Sequence, residues 1–393
     1  MQWKTRMIGC HTIALESGSQ GSSRGQMSTR RTFLMQASLG GLVAVADAQG
    51  PHAAGKQYAS SSTSMKTCVI PRTDLTVTRI AYGCSSIVDW NRQPLSETEV
   101  TKAARIVNAA FDNGITFFDL ANSYAFHKTE AAFGRVLRQS PGLRHKIIIQ
   151  SKCGILLGDV EQLGGMLRND HSRGRILSDV DDSLQRLGVD HLDILLLHWP
   201  DILVRPQEVA QAFDQLERDG KVRYFGVSNH TPSQIELLKT AVRQPLVINQ
   251  IPLSLEASYL LAGGMAWLWN AAHGLQDYTT LPATVDYCRA NDIQIQAYSP
   301  LRGNLLNPPA DASPETRRAA AMLVELAQQK STNPSAVALA WLLHHPAGIV
   351  PIVGSTNPEH LIENCAADGV TLTDEEWYTL LISTLKLTPR KIS

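Results

Sequence analysis

Four residues between positions 119 and 198 carry groups that exchange protons, and each falls at or just beyond the end of an apolar run. Asp119 follows Ile115-Thr116-Phe117-Phe118, with Tyr124 in the segment just after it; Lys152 follows Ile147-Ile148-Ile149-Gln150-Ser151; His198 follows Ile194-Leu195-Leu196-Leu197. Continuously apolar runs of this length suit strands buried on both faces. Singly, each residue has an ordinary structural role: Asp119 as a turn cap, Tyr124 as loop packing, Lys152 as a solvated strand end, His198 as a satisfied core histidine. At the ends of three successive strands they form an acid–base constellation, provided those ends converge. A lysine buried there also needs a counter-charge, and Asp119 is placed to supply it.

The elements that must position them begin near Val77. Strands are predicted at Ile80–Gly83, Ile115–Leu120, Lys146–Ser151, Leu192–His198, Val222–Val227, Leu246–Asn249, Ile293–Tyr298 and Ile349–Val353. Helical periodicity fills 97–113, 129–139, 174–187, 206–219, 232–241, 281–290 and 316–343, the last broken in two by Asn333-Pro334. Asn113-Gly114 and Asp219-Gly220-Lys221 end helices and return the chain to a strand. This alternation predicts an α/β fold, a (β/α)8 TIM barrel over residues 66–393, whose strand carboxyl ends converge on one functional face. A doubly wound open sheet is the second choice, weakened because no G-x-G-x-x-G follows the first strand. Residues 254–280, with Trp267 and Trp269, exceed an ordinary connection and predict an elaborated loop beside that face.

Of the 393 residues, 44% are hydrophobic and 18% charged, which supports a folded core and excludes disorder as the dominant state. Lys plus Arg and Asp plus Glu number 36 each, so no basic excess recommends a nucleic-acid partner. No apolar run approaches the ~18 residues of a membrane span. The 6 cysteines are scattered without paired spacing, so no metal site is predicted, and buried thiols are expected rather than a disulfide framework. Residues 1–65 read as an extension and linker. Within it, Ser28-Thr29-Arg30-Arg31-Thr32-Phe33-Leu34 resembles a twin-arginine (Tat) export motif, followed by the weakly apolar Met35–Val45 and a small-residue site at Ala46-Asp47-Ala48. A signal peptide cleaved after Ala48 would imply the Tat machinery as a partner and a periplasmic or exported destination. The other reading is a disordered arm on a cytoplasmic protein. Met1 and Met27 both stand as candidate starts.

The segment Phe117-Phe118-Asp119-Leu120-Ala121-Asn122-Ser123-Tyr124, with Thr129-Glu130, Ser151-Lys152 and Leu195-Leu196-Leu197-His198-Trp199-Pro200-Asp201, resembles the aldo-keto reductase family. The likeness continues through Gly226-Val227-Ser228-Asn229-His230, Asn249-Gln250, Ala297-Tyr298-Ser299-Pro300-Leu301 and Gly354-Ser355-Thr356-Asn357-Pro358-Glu359-His360-Leu361-Ile362-Glu363-Asn364. The resemblance implies an NADP-dependent oxidoreductase in which Tyr124 gives a proton to a carbonyl oxygen, Lys152 brings the phenol's proton affinity toward working pH, Asp119 holds the ammonium and His198 orients the carbonyl. It implies a nicotinamide held by Ser228, Asn229 and Gln250 and stacked on Tyr298. It also places Ser299, Leu301 and Gly303 beside the pyrophosphate, Gly354, Ser355, Thr356 and His360 around the adenosine phosphate, and Glu363 and Asn364 near the adenine.

Gly354 and His360 depart from the lysine and arginine that often hold the 2′-phosphate in that family, so NAD stays open beside NADP. The substrate class is a small carbonyl compound or its alcohol, and Trp90, Trp199 and the Trp267–Trp269 loop suggest an aromatic-lined pocket. Two other classes stand beside this one: a nicotinamide-nucleotide sensor or regulatory subunit on the same fold, and a barrel hydrolase using paired carboxylates.

Overall fold

The computed structural model describes residues 65–157, 168–258 and 283–384, together with Leu261, Asn270–Ala271 and Leu387–Thr388. The twin-arginine segment, Trp267 and Trp269 lie outside the described residues. Eight strands form a closed parallel barrel: β1 (Ala81–Gly83), β2 (Phe117–Asp119), β3 (Ile148–Cys153), β4 (Leu192–Leu197), β5 (Val222–Ser228), β6 (Leu246–Pro252), β7 (Gln294–Tyr298) and β8 (Val350–Val353). Each strand pairs with the next in sequence, and β8 closes on β1 with Ile352 opposite Ala81. The fold is therefore the (β/α)8 barrel expected.

The helices begin and end where local chemistry dictates. Helix α1 (Glu97–Asp112) starts with a reciprocal cap: the Ser96 side chain accepts from Glu99 N, and the Glu99 carboxylate accepts from Ser96 N at 2.9 Å. Its apolar face, Val100, Ala103, Ile106, Val107 and Ala110, is buried, and the chain turns at Gly114 with φ +88°. Around the barrel follow α2 (Lys128–Gln139), α3 (Arg173–Leu187), α4 (Pro206–Arg218), α5 (Pro232–Lys239), α6 (Ala283–Ala290), α7 (Pro314–Gln329) and α8 (Pro334–His344). The break between the last two falls at Asn333, whose Oδ1 accepts from Ala336 N at 2.8 Å and caps the new helix.

Strand alternation sends one set of side chains inward and the other against the helices. Leu195 and Leu197 of β4 join the main core under the helices, whereas Ile194 and Leu196 meet Phe117, Ile248 and Ile352 within the barrel. An antiparallel hairpin, Thr67–Val69 with Thr76–Thr78, packs Ile70, Leu75 and Val77 on that interior set and so plugs the end away from the strands' carboxyl termini. Gly226 permits close packing inside: a Cβ there would lie 2.7 Å from Leu196 Cδ2 and 2.8 Å from Ile248 O.

Two helices follow the last barrel strand, α9 (Pro358–Cys365) and α10 (Asp374–Thr384). Neither helix is among the helical stretches read from the sequence, nor is the hairpin among the strands. Helix α10 docks through Trp377, which stacks on Trp341 at 5.1 Å while each indole N–H donates to the other residue's carbonyl, at 2.9 and 3.2 Å. Cys84, Cys153 and Cys288 are buried free thiols, and Cys68 and Cys365 are half-buried. Among the described residues no helix is long and apolar enough to cross a membrane.

Candidate active site

The carboxyl ends of β2, β3 and β4 bring the four candidate acid–base residues together. Lys152, fully buried on β3, donates from Nζ to Asp119 Oδ2 at 2.7 Å, to Leu120 O at 2.8 Å and to Tyr124 Oη at 2.9 Å. An ammonium has three protons, and all three are used. The Tyr124 ring meets the His198 imidazole edge to face, with centroids 5.7 Å apart. His198 Nδ1 lies 3.3 Å from Ser123 Oγ.

Below this cluster lies a polar layer that sequence reading does not foresee. Gln150 of β3 and Gln250 of β6 donate from Nε2 to Asp119 Oδ1 at 2.6 and 2.9 Å, and both also donate to Gln296 Oε1 of β7, at 2.8 and 3.0 Å. All three glutamines are at most 2% exposed. Asp119 thus accepts from one ammonium and two amides, which compensates a buried carboxylate and fixes its orientation. The signal available in the sequence is a glutamine inside otherwise apolar runs, Ile148-Ile149-Gln150 and Ile295-Gln296-Ala297.

Burial governs the proton affinities. It pushes the Tyr124 phenol well above its ordinary value, and the Asp119 carboxylate pushes the same way. This corrects the expectation that the site lowers the phenol's proton affinity: in the folded chain the cost of burying a phenolate dominates, and Tyr124 stays protonated. Burial also pulls the Lys152 ammonium below its usual range against the opposing pull of Asp119. His198 is held well below the ordinary histidine value, first by burial, then by the Lys152 ammonium and the neighbouring His171, so its ring is neutral.

The candidate cofactor residues occupy the neighbouring strand ends. Ser228 Oγ donates to Gln250 O at 3.0 Å and accepts from Asn229 Nδ2 at 2.9 Å. Asn229, left-handed at φ 62°, also bonds through Nδ2 to His198 O, and its Oδ1 accepts from Tyr298 Oη at 3.0 Å. This links the ends of β5, β6 and β7 directly to His198. Ser299 is exposed and left-handed at φ 52°, and Leu301 is half-buried against the main core. Gly303 has φ +124°, which strains any residue with a side chain, and a Cβ there would fall 1.8 Å from Glu256 Oε2 and force that carboxylate to move. Gly354, Ser355 and Thr356 follow β8 half-buried, and Ser355 Oγ accepts from Asn357 N at 3.2 Å. His360 and Glu363 are half-buried on α9, whereas Asn364 is buried.

An aromatic wall flanks Tyr124. Trp90, fixed by an Nε1 bond to Ser85 O at 2.7 Å, lies 6.2 Å from the Tyr124 ring and 6.3 Å from that of Phe126. Ala125, Phe126 and His127 all have positive φ, a run of strained backbone held where His127 Nδ1 meets Asn122 O at 2.5 Å. Trp199 is 40% exposed beside His198. Behind the site, His171 and His230 lie ring to ring at 6.4 Å, and burial lowers them to about 4 and about 3.

Comparison with known proteins gives the same arrangement a lineage. The model of the aldo/keto reductase family matches residues 79–381. The oxidoreductase YcsN of Bacillus subtilis is 34% identical over 311 residues, covering 78% of this chain and 94% of that one. The 6-dehydroglucose reductase of Agrobacterium fabrum is 33% identical over 307 residues, with the same shares of 78% and 94%. The glycerol dehydrogenase of Gluconobacter oxydans superposes with a TM-score of 0.64 at 25% identity, covering 83% of this chain and 97% of that one. With the barrel closed and the match running through nearly all of it, the chain belongs to the aldo/keto reductase family and is an NAD(P)H-dependent oxidoreductase.

Proposed function

We propose that this protein reduces aldehydes or ketones with NADPH, with Tyr124 as the proton donor. The observation that carries the reading is the fully buried Lys152 Nζ held between Asp119 Oδ2 and Tyr124 Oη at 2.7 and 2.9 Å. When bound, the nicotinamide supplies the hydride that reaches the carbonyl carbon. Tyr124, protonated at rest, passes its proton to the carbonyl oxygen, and the phenolate left behind stands beside the Lys152 ammonium. Asp119 keeps that ammonium charged through the cycle. Neutral His198 donates a hydrogen bond to the same oxygen and fixes its approach.

The groups at the ends of β5 to β7 fit an amide-bearing ring through their oxygens. The protons of Ser228, Asn229 and Gln250 are engaged within the protein, which leaves acceptor capacity on Ser228 Oγ, Asn229 Oδ1 and Gln250 Oε1 for an amide NH2, and the half-buried Tyr298 offers a ring face. Ser299, Leu301 and Gly303 would lie along the pyrophosphate. The Ser355 and Thr356 hydroxyls and the start of α9 support NADPH over NADH, with His360 in place of a permanent cation. Relatives named for a dehydroglucose and for glycerol support a small carbonyl or alcohol partner. The test is oxidation of NADPH and NADH by purified protein across activated aldehydes and ketones. Tight cofactor binding without turnover on any of them would favour the sensor reading.

We also infer export in folded form, on the strength of Arg30-Arg31 and the small-residue site ending at Ala48. Cell fractionation of the full chain beside an Arg30→Lys/Arg31→Lys variant decides it: wild-type protein confined to the cytosol removes the idea.

A further inference from the structure

Ser123 is the residue before the candidate proton donor, and its side chain turns to His198 instead. Both are buried, at 4% and 6% exposure, and 3.3 Å separates Ser123 Oγ from His198 Nδ1. Among the described residues it is the only hydrogen bond that either side chain makes: the His198 backbone carbonyl accepts from Asn229, and Ser123 O from Phe126 N at 3.3 Å. A neutral imidazole carries one proton, on one of two nitrogens, and the partner of the other nitrogen decides which. A hydroxyl can donate or accept, so the serine's proton and the histidine's are set together.

We propose that Ser123 is a positioning residue: its hydroxyl donates to His198 Nδ1, which places the ring proton on Nε2 and makes that nitrogen the hydrogen-bond donor to the carbonyl oxygen. This rests on the reductase reading above for its consequence, but not for its geometry. The ring of His198 is fixed on one side by this bond and packed edge-on against Tyr124 on another, so Nε2 is the nitrogen left to serve the site. The opposite tautomer would present a lone pair to the oxygen of the carbonyl and repel it. Burial makes the choice consequential, because a ring free in water exchanges tautomers whereas a buried one follows its partner.

The test has two independent readouts. Nitrogen-15 NMR of the resting protein, with the His198 signals assigned by their loss in His198→Gln, is expected to show a protonated Nε2 and a bare Nδ1 in the wild type and in Ser123→Thr. Ser123→Ala is expected to give a mixture of tautomers. Its kcat/KM for a carbonyl substrate is expected to fall about tenfold, roughly 1.4 kcal/mol, with cofactor affinity unchanged, while Ser123→Thr stays within about threefold of wild type, as one retained hydrogen bond implies. A wild-type ring protonated on Nδ1, or a Ser123→Ala variant with unaltered tautomer and rate, overturns the proposal. If no carbonyl is turned over at all, the reductase reading fails while the NMR result still decides the Ser123 bond.

Discussion

Lys152 and Asp119 form a buried 2.7 Å ion pair, with side chains 0% and 3% exposed. Two charges in that position are tolerated only because each satisfies the other and the remaining hydrogen-bonding capacity is taken up by Leu120 O, Tyr124, Gln150 and Gln250. The pair therefore ties the chemistry of the site to the stability of the barrel.

Removing one partner strands the other. Lys152→Met and Asp119→Asn are each expected to destabilise the fold by about 3–5 kcal/mol. The double variant should recover a large part of that loss while remaining inactive. Urea unfolding of the three variants gives the coupling energy directly, and additive losses would contradict the pairing.

The glutamine layer is expected to matter for stability apart from activity. Gln150→Leu removes a 2.6 Å donor from Asp119 and leaves the Gln296 amide short of a partner. A loss of about 1–3 kcal/mol is expected, read as a lower urea midpoint at unchanged slope.

Stability should fall on acidification from about pH 6.5. His171, His198 and His230 are all held below their unfolded value by burial, with Asp170 opposing at His171 and the Ser228 carbonyl opposing at His230. Between the unfolded and folded values the unfolded chain binds protons that the native chain refuses, so their stabilising contribution is complete above about 6.5 and lost as pH falls through the folded values. His171→Leu should reduce the slope of stability against pH by up to about 1.4 kcal/mol per unit between about pH 4.5 and 6. An unchanged slope would show that His171 is protonated in the native state.

The wall formed by Trp90 should select for ring-bearing substrates. Trp90→Ala is expected to raise KM for an aromatic aldehyde by up to about tenfold, the worth of one aromatic contact, and to leave KM for a short aliphatic aldehyde nearly unchanged. Equal effects on both would assign Trp90 to packing of the Tyr124 loop.

The barrel was legible because its strands are short, apolar and separated by helical periods with glycine stops, and because Asp119, Lys152 and His198 interrupt those strands only at their ends. The glutamine layer was not: Gln150 and Gln296 pass as ordinary strand residues and Gln250 reads only as a cofactor residue, since a polar residue inside a strand reads as exposed until a second and third strand are seen to present partners at the same height. Nor does the sequence single out Ser123: its partner lies 75 positions away, and no local pattern reports such a bond. Helix α10 was hidden because what holds it is the Trp341–Trp377 stack, a contact between distant segments. The raised proton affinity of Tyr124 was missed because a lysine nearby suggests the opposite sign until the depth of burial is known.

The central claim is that Tyr124 is the proton donor, and a single comparison tests it: NADPH oxidation with an activated aldehyde by wild type and by Tyr124→Phe, each also titrated with NADPH for binding. The account predicts turnover by the wild type, a loss of about 10²–10⁴ in kcat in the variant, and equal cofactor affinity. A variant that turns over at the wild-type rate would contradict it.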